Sequence, residues 1–150
     1  MHVTIARLYD VTSQRLTVPV DHCSCGCHEH IDFQKIESVS RERLDFETLG
    51  KYADKALTTV GEVEHYQYFL PRICEMVWEG KTPCGVHFCL LSKLEYGKFW
   101  EWPAPLKNVV VDFLRALLEK KKRDQFFDLD EEEVRGVEEL VQKGAGTLDK

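Results

Sequence analysis

Apolar side chains recur every three or four positions over most of this chain, the spacing of amphipathic helices. The most regular stretch opens at Pro105, where Leu106, Val109, Val110, Phe113, Leu114, Leu117 and Leu118 repeat without a miss. The basic run Lys120 to Arg123 closes it at the helix end that favours cations. Asp45 is a good N-cap for a helix running to about Thr58, with Phe46, Leu49, Tyr52, Ala53, Ala56 and Leu57 on one face and Gly61 beyond its end. Next, Val63, Tyr66, Leu70, Ile73 and Val77 follow at spacings of three, four, three and four, ending before Gly80. Pro71 interrupts this stripe, so the pattern predicts either a kink near Tyr68 or a second short helix beginning at Pro71. Thr82 and Pro83 signal the start of a helix over about 84–95, with His87, Leu90, Leu91 and Leu94 on one side. A last helix begins at Asp130, carries Glu131, Glu132 and Glu133 in its first turn, turns Val134, Val137, Leu140 and Val141 inward, and stops at Gly144. That leaves 144–150 as a mobile tail.

Two regions are less periodic. Over 2–14, Val3, Ile5 and Val11 suit a strand, whereas Ile5, Leu8, Tyr9 and Thr12 make the helical stripe, which is the better fit. Pro19 ends that element. Residues 20–43 read as irregular, with Ile31, Phe33 and Ile36 as anchors on the core. The expected architecture is all-α: one domain over 1–150, made of five or six amphipathic helices in antiparallel hairpins around an irregular N-terminal segment.

Composition agrees with one packed domain. A chain of 150 residues that is 43% hydrophobic and 31% charged can bury roughly 68–70% of its unfolded surface. Lys and Arg number 20 against 26 Asp and Glu, a net charge of −6, which lacks the basic footprint of non-specific nucleic-acid binding. No apolar run approaches the about 20 residues of a membrane span. The stretch Val3 to Ala6, broken by Thr4 and stopped by Arg7, is too short for a secretory signal core. The expectation is a cytoplasmic protein whose partner is neither nucleic acid nor membrane.

Chemistry concentrates in one place. Positions 22–30 hold six of the twelve Cys and His residues. Thiolate and imidazole are the preferred ligands of zinc, and Cys23, Cys25, Cys27 and His28 would complete a tetrahedral structural site. Alternating cysteines point to opposite sides of an extended chain, so that site requires a sharp turn, which Gly26 permits. The same residues read otherwise as inert loop thiols or as a redox centre. A second group, Cys84, His87 and Cys89, could lend a distant ligand to that zinc site, but Cys84 and Cys89 read more simply, with Cys74, as small buried apolar side chains.

Other constellations are thinner. Glu62 and His65 have the i, i+3 spacing of one half of a di-iron motif, but there is no second copy, and the plain reading is an acidic first turn with an exposed His. A nucleophile pair drawn from Cys74 or Cys89 with His65 or His87 has no accompanying oxyanion-forming glycine turn, and no catalytic residue is assigned. Tyr96, Phe99, Trp100 and Trp102 crowd one connection. Either they plug the end of the helical core, or Tyr96, Trp100 and Trp102 anchor a protein partner.

Several strings (LYD at 8–10, HCSCGC at 22–27, YADKALTTVG at 52–61, YFLPRICEM at 68–76 and LSKLEYGKFWEWP at 91–103) resemble a family of uncharacterised, mainly helical bacterial proteins with an N-terminal cysteine-containing segment. The resemblance covers about 8–118 and implies a helical 2–14 and a bacterial cytoplasmic setting. It brings no catalytic residues. Cys23, Cys25 and Cys27 alternate where that family carries a tighter cysteine pair.

The expected function is a small helical binding or adaptor module with a structural zinc ion tying 20–43 to the bundle. The alternatives are a thiol- or metal-dependent enzyme and a metal or redox sensor, each using the same Cys/His cluster.

Overall fold

The computed structural model describes residues 2–13, 16, 31–58, 61–83 and 85–146. Its elements are helices α1 (Val3–Val11), α2 (Phe33–Ser38), α3 (Phe46–Lys55), α4 (Val63–Trp78), α5 (Ser92–Tyr96), α6 (Ala104–Arg123) and α7 (Glu131–Gly146). Short 3-10 turns lie at Arg41–Arg43 and Phe99–Glu101, and a wide π turn, His87–Leu91, leads into α5. No strand occurs among the described residues, so the fold is all-α, as the periodicity predicts.

Neighbour relations close these helices into a ring. α1 lies against α6, α6 against α7, α7 against the π turn, the π turn against α3, α3 against α4, and α4 against α1. Directions follow from the side chains that meet. Val111, early in α6, faces Gly144, late in α7, while Tyr52 of α3 touches Phe69 and the Arg72 guanidinium covers the Phe46 ring. Both pairs are therefore antiparallel. The ring encloses one core, in which Leu8, Leu49, Phe69, Leu70, Ile73, Leu114 and Leu117 have no exposed surface.

Each element has a local cause. His2 caps α1, its Nδ1 accepting from the Thr4 N–H at 3.1 Å, and the helical stripe of Ile5 and Leu8 is buried. Asp45 caps α3 as expected, accepting from the Thr48 N–H at 2.8 Å and forming an ion pair with Lys35 at 2.5 Å. Lys35 and these Thr48 bonds hold the Asp45 carboxyl well below the usual carboxylate range. A depressed folded pKa contributes stability above the unfolded value of about 3.9 that is lost as pH falls below it. Asp45→Ala is therefore expected to cost about 1 kcal/mol at neutral pH, with the deficit shrinking in urea melts below about pH 4. A deficit that does not change with pH would show that the charge contributes nothing.

The structure corrects the sequence reading at several places and decides between its two alternatives at Pro71. Residues 31–43 are not irregular: α2, capped by Asp32 through the Lys35 N–H at 3.0 Å, and a 3-10 turn occupy them. With α2 included, the described residues hold seven helices rather than the five or six expected. α3 stops at Lys55, before Thr58: Ala56 turns to an extended ψ of 144°, and Leu57 after it takes a left-handed φ of 69°, a costly conformation for a bulky side chain. α4 passes Pro71 as one helix, and Arg41 reaches into that turn, donating to the Tyr68 carbonyl at 2.6 Å.

Gly144 does not stop α7, which runs to Gly146. It is buried where α7 meets α6, and an added Cβ would lie 2.6 Å from Val111 Cγ2 and 2.8 Å from Phe99 Cζ. Gly144→Ala is thus expected to destabilise by about 1–3 kcal/mol through overpacking, although Ala is the better helix former. A urea midpoint matching the parent would show that the two helices separate there without loss.

Arg41 is the least expected occupant of the interior. It is 1% exposed, and its guanidinium lies between the rings of Tyr9 and Tyr68, 4.9 and 4.8 Å from their centroids. It donates to Thr12 Oγ1 at 2.8 Å and to the Tyr9 carbonyl at 3.3 Å as well as to Tyr68. Burial pulls its pKa below the ordinary arginine value. Beside it, the Tyr9 hydroxyl donates to Glu75, which also pairs with Arg72 at 3.3 Å. Burial and the Glu75 carboxylate push the Tyr9 phenol well above its usual range.

Candidate functional site

Among the described residues, a groove of about 610 Å³ lies between the π turn with α5 on one side and α7 on the other. A π turn is rare and commonly marks a functional position. Here two contacts define it. The Ser92 N–H reaches back to the His87 carbonyl, and Tyr66 of α4 donates its hydroxyl to the Cys89 carbonyl at 2.7 Å. A side chain entering the backbone ladder is a recognised cause of such irregularity.

The opposite wall is fixed by a reciprocal cap. The Glu133 N–H donates to Asp130 Oδ1 at 2.8 Å, and the Asp130 N–H donates to Glu133 Oε1 at 3.1 Å. The other Glu133 oxygen, Oε2, accepts from the His87 N–H at 3.1 Å. One carboxylate thus caps α7 and ties it to the first residue of the π turn.

Between these walls the floor is Leu91 and Leu140, each 3% exposed. Phe88 stands at the mouth with 57% of its surface in solvent, its ring edge-on to His87 with centroids 5.0 Å apart. Most large apolar side chains in this fold are buried, so an exposed Phe on a doubly fixed turn stands out. The rim is acidic: Glu95, Asp130, Glu132, Glu133 and Glu139 face Arg135 and Lys143. Glu95 and Lys143 neutralise each other at 2.6 Å.

The aromatic residues singled out in the sequence do not line this groove, and they divide in role. Tyr96, next to Glu95, is 61% exposed. Trp100 is half-buried against Phe99, with the Lys143 ammonium 5.0 Å from its ring centre. Trp102 is 8% exposed and spends its indole N–H on the Gly97 carbonyl at 3.0 Å, as a plug at the end of the core does. Phe88, by contrast, lies off the His87, Leu90, Leu91 and Leu94 stripe that marks this helix in the sequence. Its signal was an aromatic residue lying off that stripe, and His87, placed on the inner face by the same pattern, is exposed.

Cys23, Cys25, Cys27 and His28, the expected zinc ligands, lie outside the described residues, as does Cys84. Among the described residues no group of three or more His, Cys, Asp or Glu is arranged to hold a metal ion. Cys74 and Cys89 are buried, and burial raises the Cys74 pKa, the opposite of what a nucleophilic thiol requires. His65 is 2% exposed rather than exposed as expected. Its Nδ1 accepts from the Glu62 N–H at 2.7 Å, while its Nε2 and the Tyr52 hydroxyl are buried without a hydrogen-bond partner among the described residues.

No protein-family model matches the chain, and neither a curated protein nor a solved structure matches it. No helix among the described residues is long and apolar enough to cross a membrane.

Proposed function

We propose that the chain is a helical binding module that docks a segment of a partner protein in the groove between the π turn and α7. The observation that carries this reading is Phe88: an aromatic ring held 57% exposed at the mouth of a 610 Å³ groove. Interface energy concentrates in such aromatic anchors, and truncating one typically costs 1–2 kcal/mol or more of binding. The fixed backbone beneath favours a preformed site, which lowers the entropy lost on binding.

The test is selection of random-sequence displayed peptides on the wild-type chain, followed by affinity measurements on Phe88→Ala. Selected peptides are expected to bind Phe88→Ala about tenfold or more weakly and to shift backbone amide resonances within 85–95 and 130–143. Peptides that bind both proteins equally, or that shift resonances elsewhere, would overturn the reading.

A further inference from the structure

We infer that the segment this groove accepts is cationic and amphipathic: arginines against the α7 carboxylates, with one aliphatic or aromatic side chain on Phe88. The inference rests on the docking reading above and specifies its partner. Five carboxylates and two cations line the groove, an excess of three negative charges, half of the chain's net −6. The Glu95–Lys143 pair cancels itself. Asp130 and Glu133 accept only from backbone N–H groups, which stabilise a carboxylate without cancelling its charge. Glu132 and Glu139 have no hydrogen-bond or ion-pair partner among the described residues.

Such a rim repels acidic segments and raises the local concentration of basic ones. Arginine fits better than lysine, because its planar fork pairs with carboxylates two bonds at a time and stacks on aromatic faces. Phe88 and the leucine floor supply the apolar contact that distinguishes a peptide from a simple counter-ion. The chain's own basic run is not the complement. Lys120 covers the rings of Trp78 and Phe127, Lys121 donates to the Gln125 and Phe127 carbonyls at 2.8 Å, and Lys122 pairs with Glu119 at 3.5 Å. Lys120 and Lys121 are thus spent inside their own fold, and we take the partner to be a segment of a different chain.

Three labelled synthetic peptides of equal length decide the matter: one of Arg and Leu in amphipathic order, one with Glu replacing every Arg, and one with Ser replacing every Leu. The Arg/Leu peptide is expected to bind at least tenfold more tightly than either of the others. Its affinity is expected to fall severalfold as salt rises from about 0.05 to 0.3 M, where screening shortens electrostatic reach. Glu132→Lys and Glu139→Lys are each expected to weaken it severalfold, and Glu101→Lys, on an exposed turn outside the groove, to leave it unchanged. Equal binding of the Arg/Leu and Glu/Leu peptides would overturn the charge inference and leave the docking reading standing. So would failure of all three while library-selected peptides still lose affinity on Phe88→Ala. Equal binding of the Arg/Ser peptide, or full competition by spermine, would make the groove a site for small cations and overturn the inference as well. Failure of the docking reading is recognised separately, by selected peptides indifferent to Phe88→Ala.

Discussion

Truncating Leu114 to alanine is expected to lower the unfolding free energy by about 2–5 kcal/mol. Leu114 has no exposed surface and sits near the middle of α6, the helix flanked by α1 and α7 in the ring. Removing three carbons there loses their transfer free energy and leaves a cavity that two helices would have to move together to fill. Domains of this size are stable by only about 5–15 kcal/mol, so a large fraction of the total is at stake. Urea denaturation with an unchanged slope separates this loss from a change in the unfolded ensemble. A loss below about 1 kcal/mol would mean that the α6 stripe is not packed as described.

The second large effect belongs to Arg41. Arg41→Ala is expected to cost about 3 kcal/mol, because it removes hydrogen bonds from a charged donor, worth roughly 1.5–3 kcal/mol each before the release of the buried charge is counted, together with two ring contacts. It also leaves the Tyr68 carbonyl, in the proline-containing turn of α4, without the donor that Arg41 supplies. Arg41→Met separates charge from volume: it fills most of the space and carries no buried ion, and replacing buried ions by apolar groups is often nearly neutral. The expected order of stability is parent, then Met, then Ala. A Met variant more stable than the parent would show that burying the guanidinium costs more than its bonds return.

These two residues mark what the sequence made legible and what it left hidden. α6 was readable because its whole stripe is buried against neighbours, so burial and periodicity agree. α1 was readable for the same reason through Ile5 and Leu8. Arg41 was not, since an isolated arginine normally lies at the surface, and its place follows from three chain segments that meet only in the fold. Pro71 looked like a break, yet α4 passes it as one helix. Gly144 looked like a stop because glycine often ends helices, and here it is needed for close approach. The groove was the least legible feature. The π turn departs from the 3.6-residue period on which pattern reading depends, and its causes, the Tyr66 hydroxyl and the Glu133 carboxylate, come from 23 and 46 residues away.

The closed ring of helices has a consequence for synthesis of the chain. α1 is made first and is held by α4 and α6, with its Arg7 paired to Asp112 at a separation of 105 residues. At about 5–20 residues per second, a ribosome takes on the order of 5–20 s to supply that partner. For that interval the apolar face of α1 can be only partly covered, by α4. Over that interval these helices form an open arc, dependent on low local concentration or on chaperones to avoid pairing with a neighbour. Closure comes only with α7, which joins α6 to the π turn, while the unbroken apolar stripe of α6 covers α1.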